Sequence, residues 1–93
     1  MTDRNDSAVT IAIEGIDDPA VAADLQNKIR EVCRATRWSG AVTVALAPAD
    51  VRGRWDLGVK SAAGRHVTSF SATLNRVPEV LTDHLRRILS RLA

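Results

Sequence analysis

The chain has 93 residues, 45% apolar and 26% charged, with a net charge of +2. That composition belongs to one folded domain and excludes both a disordered chain and a second hydrophobic core. No apolar run approaches the roughly 18 residues of a membrane span, and no charged-then-apolar leader opens the chain, so a cytoplasmic protein with no membrane contact is expected.

In chain order, residues 1–7 are polar and read as a flexible N-terminus, and residues 8–93 as one domain. "AVTIAIEG" (8–15) alternates Val9, Ile11, Ile13 against Thr10, Ala12, Glu14, the period of a half-buried strand. "DDPA" follows, with Asp18 suited to accept from free first-turn amides and Pro19 to the first helical position. Val21, Leu25, Ile29 and Val32 then recur at steps of four, four and three, which predicts a helix over 19–37 closed by Ser39-Gly40. Cys33, the lone cysteine, lies beside Ile29 and Val32 and reads as a small buried hydrophobe; it excludes an internal disulfide.

"AVTVALAP" (41–48) predicts a second strand with Val42, Val44 and Leu46 on one face, and "APADVRGR" a loop carrying Arg52 and Arg54. "WDLGVKS" places Trp55, Leu57 and Val59 on one side of a third strand over 54–62. "SAAG" supplies a turn in which Gly64 takes a positive backbone angle. "RHVTSFSATL" predicts a fourth strand over 65–73 anchored by Phe70, with His66 exposed just after the turn. Asn75 is the expected cap of a last helix over 76–91, with Pro78 in its first turn. Its apolar stripe runs Val77, Val80, Leu81, Leu85, Ile88, Leu92, and His84 sits at the stripe's boundary.

The order β-α-β-β-β-α predicts an α+β fold. It has a four-stranded sheet whose first strand pairs in parallel through the helical crossover, with both helices packed on one face. The expected core comprises Ile11, Ile13, Val21, Leu25, Ile29, Val32, Val44, Leu57, Val59, Phe70, Leu81, Leu85 and Ile88. Thr10, Ala12, Thr43, Ala45, Gly58 and Lys60 would line the open face.

The chemistry of an enzyme is hard to find. There is no Gly-rich phosphate loop, no GxSxG elbow and no HExxH, and two histidines plus one helical cysteine lack the spacing of a zinc site. Asp17-Asp18 is better explained as a helix cap than as a metal or acid–base pair. The reading is of a non-enzyme without metal or cofactor.

Charge is uneven. Residues 1–31 hold seven acids against three bases, and residues 32–93 hold ten bases against four acids. Eleven of the thirteen bases are arginine, the side chain suited to fork-like phosphate contacts. Arg30, Arg34 and Arg37 recur at steps that share a helix face, and Arg86, Arg87 and Arg91 flank the last stripe. With Arg52 and Arg54 these are the candidate polyanion-binding residues. Genomic base content is the competing explanation for so much arginine and alanine.

The element order, and "GRHVTSFSATLNRVPEVLTDHLRRILSRL" as a last strand, an "ATL"-type turn and a late-basic helix, resembles the ribosome hibernation-promoting factor / ribosome-associated inhibitor family in its short form. The resemblance implies a bacterial, ribosome-associated translation regulator that occupies the tRNA/mRNA channel of the small subunit. Its helix arginines would meet ribosomal RNA phosphates across a basic groove. Family members carry more lysine and more positive charge than this chain. The double-stranded-RNA-binding domain shares the α-β-β-β-α part, but "NRVPEV" stands here where that family has a lysine-rich helix start, which argues against duplex RNA. The alternative is a protein-interaction or dimerisation module without nucleic acid, pairing as a homodimer through the open sheet face.

Overall fold

The computed structural model describes residues 9–36 and 40–92; the expected flexible segment 1–7 lies outside them. The observed order is β1 (Val9–Ile13), α1 (Pro19–Ala35), β2 (Val42–Pro48), β3 (Arg54–Ser61), β4 (Gly64–Ser71), a single 3-10 turn (Leu74–Arg76) and α2 (Val77–Leu92). This is the predicted β-α-β-β-β-α order. The sheet runs β1-β2-β3-β4, with β1 parallel to β2 and the two later pairings antiparallel. The right-to-left traffic this imposes leaves α1 and α2 pointing the same way. Their N-termini lie at the end of the sheet that carries the β2–β3 loop, and their C-termini at the end that carries the β3–β4 turn.

Both helices lie on one face, and the core is the seam between them and the sheet. Leu25, Ile29, Val32 and Cys33 come from α1; Val77, Leu81, Leu85, Ile88 and Leu89 come from α2; Val42, Val44, Leu46, Trp55, Leu57, Val59 and Phe70 come from the strands. Val77 is buried as part of the predicted stripe, and Leu89 joins it because α2 rests on α1 as well as on the sheet, which widens its apolar face. Ile11, Ile13 and Val21, expected in the core, are only half-buried. β1 is an edge strand with a neighbour on one side, so its inward residues pack against the margin of the core.

Local signals explain the boundaries. Asp18 caps α1 as its sequence predicts: its Oδ1 accepts from the Ala20 amide at 2.9 Å, with Pro19 next. Thr36 closes the same helix, its hydroxyl donating to the Val32 carbonyl at 2.9 Å and the Cys33 carbonyl at 3.1 Å. Asn75 does not cap α2. It lies inside the 3-10 turn, where its Oδ1 accepts from the Thr73 hydroxyl at 2.8 Å. The Thr73 carbonyl already takes the amides of Arg76 and Val77, at 2.9 and 3.1 Å, so a side-chain cap has nothing left to accept from there. Gly64 has φ +148°, as its turn requires, and Gly15, where β1 leaves the sheet, has φ +83°.

Candidate nucleic-acid interface

The predicted arginines do not form one surface. Helical phase decides where each goes. The trough between the helices is lined by Lys28, Glu31, Val32 and Ala35 of α1 and by Thr82 and Arg86 of α2. Arg30 and Arg34 are exposed but lie on the other flank of α1, away from α2. Arg37 lies outside the described residues. The trough between the two helices is therefore mixed in charge, and the helical phase of Arg30 and Arg34 turns that pair from the neighbouring helix.

On α2 the adjacent pair Arg86 and Arg87 straddles the helix. Arg86 faces the trough, while Arg87 and Arg91 face the free edge of β4, where His66, Thr68, His84 and Ile88 complete a cleft of about 150 Å³. His66 was expected to be exposed. It is half-buried and faces the helices, because it pairs with the buried Val59 across the hairpin. Phe70 could have revealed this: as the inward anchor of β4 it fixes the parity, and 66 and 68 share it. His84 is half-buried at the stripe's boundary, as expected, and stacks on Phe70 with ring centroids 5.3 Å apart and planes 17° apart.

Arg52 and Arg54 belong elsewhere again. Arg54 lies on the sheet face opposite the helices, donating from Nε and Nη2 to the Ser69 hydroxyl at 3.3 and 3.2 Å. Arg52 is in the neighbouring turn.

Ion pairing consumes little of this charge. Asp83 pairs with Arg87 at 3.1 Å, Glu79 with Arg76 at 2.7 Å and Asp24 with Lys28 at 3.9 Å, all on exposed side chains. Such pairs contribute little to stability. Among the described residues, no ion pair engages Arg30, Arg34, Arg86 or Arg91. The charge also sorts along the strand axis. Asp17, Asp18, Asp24 and Glu79 lie towards the helix N-termini, with Arg52, Arg54 and Arg76 at the same end; Arg34, Arg91, Lys60 and Arg65 lie towards the helix C-termini and the β3–β4 turn. Two parallel helix dipoles favour that sorting, with their negative ends at the arginine-rich side.

The open face carries the predicted residues in register. One row across the sheet is Ala12–Ala45–Gly58–Val67 and the next is Thr10–Thr43–Lys60–Arg65. Val67, at 62% exposure, is the large apolar side chain of the first row. Among the described residues no group of three or more His, Cys, Asp or Glu is placed to hold a metal ion, and no helix is long and apolar enough to cross a membrane.

Comparison with solved structures bears on this arrangement of elements. A ribosomal subunit interface protein from Coxiella burnetii superposes with a TM-score of 0.63, covering 89% of this chain and 93% of that one at 14% identity. The chain has the fold of a ribosomal subunit interface protein. The resemblance read from the element order thus holds at the level of the fold. The N-terminal domain of Protein Y from Thermus thermophilus is a looser likeness on which nothing below depends, with a TM-score of 0.47 and 15% identity over 86% of this chain and 94% of that domain. No protein-family model and no curated protein matches the chain by sequence.

Proposed function

We propose that this protein associates with the ribosome through the small-subunit RNA, occupies the channel that tRNA and mRNA would use, and so restrains translation. The observation that carries the reading is a surplus of arginine that folding does not use. Arg34, Arg86 and Arg91 are exposed and unpaired among the described residues, on a fold similar to that of a ribosomal subunit interface protein. The arginine-rich helix C-termini and hairpin turn form the face offered to phosphates, and the acidic helix N-termini point away from it. That polarity gives the protein an orientation on a polyanion as well as an affinity for it. Arg52 and Arg54 lie outside this face, so they contribute less to binding than the helix arginines.

Co-sedimentation with small ribosomal subunits tests the reading. The protein should pellet with subunits at low salt and release steeply as salt rises, since phosphate contacts are paid back in released counterions. Replacing Arg34, Arg87 and Arg91 by glutamate should abolish pelleting with the melting temperature nearly unchanged. Failure of the unaltered protein to pellet with subunits at low salt would rule out ribosome association.

The second reading, a homodimer through the open sheet face, rests on the small apolar row ending in the exposed Val67. Pairing through that row is not weakened by salt, whereas phosphate contacts are, which separates the two readings.

A further inference from the structure

We infer that the cleft between the free edge of β4 and α2 is a binding site for a phosphate-class oxyanion, held by two arginines and strengthened by any proton its two histidines take up. Its lining is His66, Thr68, His84, Arg87, Ile88 and Arg91. No lining residue is acidic, two carry fixed positive charge, and two more gain charge on protonation. At about 150 Å³ the cleft has room for a tetrahedral oxyanion.

The fold builds the site from both sides. His84, Arg87 and Arg91 recur at steps of three and four on α2, so they share one face. β4 runs antiparallel to α2, bringing the start of the strand beside the last helical turn: a Cβ on Gly64 would lie 3.5 Å from the Leu92 side chain. His66 and Thr68 therefore stand opposite Arg91 and Arg87. Phe70, stacked on His84, fixes the plane of that ring. Arginine supplies a planar fork for oxyanion oxygens, and Thr68 a neutral hydroxyl donor.

The surroundings do not cancel this charge. Behind β4's inward residues, β3 presents the apolar Val59 and Leu57. Arg65 and Val67 alternate to the far face of the sheet. From α1, Lys28 and Glu31 line the trough on the opposite side of α2. Asp83 touches the site only through its 3.1 Å pair with Arg87, and an arriving oxyanion competes with it for that guanidinium. Imidazole is the side chain that changes charge between about pH 5 and 8. Each imidazole that takes a proton adds one positive charge to the two fixed ones.

The inference does not depend on the ribosome reading. The phosphate group can belong to an RNA backbone or to a free phosphate ester, since the recognising chemistry is the same. The test is titration of the isotopically labelled protein with inorganic phosphate, and with sulfate, whose charge is constant over the range, at pH 8 and pH 5.5. Saturable shifts centred on His66, Thr68, His84, Arg87 and Arg91 are expected. Sulfate binding should strengthen on acidification by roughly two- to fivefold for each imidazole that gains charge. Arg87→Gln with Arg91→Gln should remove binding at both pH values. His66→Gln should keep the pH 8 affinity and lose part of the acid gain; being half-buried near the sheet margin, it tests the idea even if His84→Gln unfolds. Displacement of a short single-stranded RNA by phosphate from the same resonances assigns the source to polymer phosphate. Phosphate binding without such displacement assigns it to a free ester. Shifts spread equally over Arg30, Arg34 and Arg86, or sulfate affinity independent of pH, would overturn the inference, whatever co-sedimentation with ribosomes shows.

Discussion

Gly15 shows how one residue can fix a path through the fold. At φ +83° it occupies backbone space that L side chains rarely adopt, and a Cβ added there would lie 2.8 Å from Cδ of Pro48. A proline ring at a strand end has little freedom to yield. Gly15→Ala should therefore cost at least about 1–2 kcal/mol from the left-handed backbone alone, measured by chemical denaturation. A neutral result would mean that β1 leaves the sheet by another route. Cys33 is a second residue-scale case. It is 4% exposed, and burial raises its thiol pKa, opposed in smaller part by the Arg30 charge. A raised thiol pKa leaves less thiolate at neutral pH, and thiolate is the reactive form. Cys33 should resist alkylation in the native protein and react promptly in denaturant. Prompt native-state labelling would contradict its place in the core.

At the scale of elements, caps and stripes carry the stability argument. Asp18 accepts a 2.9 Å bond from the Ala20 amide, whereas Asn75 bonds only to the Thr73 hydroxyl. Asp18→Ala should lower stability by about 1 kcal/mol, and Asn75→Ala by clearly less, in the same denaturation experiment. Equal losses would mean that the 3-10 turn does not replace a side-chain cap. Leu85 is fully buried between α1 and the sheet. Leu85→Ala should cost about 2–5 kcal/mol from transfer and cavity terms, and a loss under about 1 kcal/mol would show that the stripe of α2 faces elsewhere. The same helix serves two surfaces because its circumference is divided. The stripe goes inward, Arg86 towards α1, and Arg87 and Arg91 towards β4.

For the whole molecule, the one-sided layer of helices leaves a sheet face to solvent, and that face sets the association behaviour. The row Ala12–Ala45–Gly58–Val67 is apolar, but Lys60 and Arg65 occupy the adjacent row. Two copies meeting face to face place these like charges near each other, so pairing should be weak and should strengthen with salt. Sedimentation equilibrium at low and high salt reads this directly. A tight, salt-independent dimer would shift weight to the interaction-module reading, and Val67→Lys should then abolish it.

Much of this was legible in the chain. The alternation in 9–13, 42–48 and 54–61, and the recurrence from Val21 to Val32, specified β1, β2, β3 and α1 with their inward faces, because side-chain period is a local property of the backbone. Asp18 and Gly64 specified their turn chemistry for the same reason. The partners of those faces were a matter for the tertiary structure. Ile11 and Ile13 have the alternation of core residues, yet only the strand order makes β1 an edge and leaves them half-buried. The charge surplus was visible in the residue list, but the list could not say that Arg30 and Arg34 turn away from Arg86, since that depends on which flank of α1 receives α2. Nor could it bring His66 to His84, eighteen positions apart, which took a hairpin register and an antiparallel helix to join. Sequence determines what a segment presents, because neighbours along the chain fix its period. Packing determines what that surface meets, because residues far apart in sequence become adjacent only when the elements close on one another.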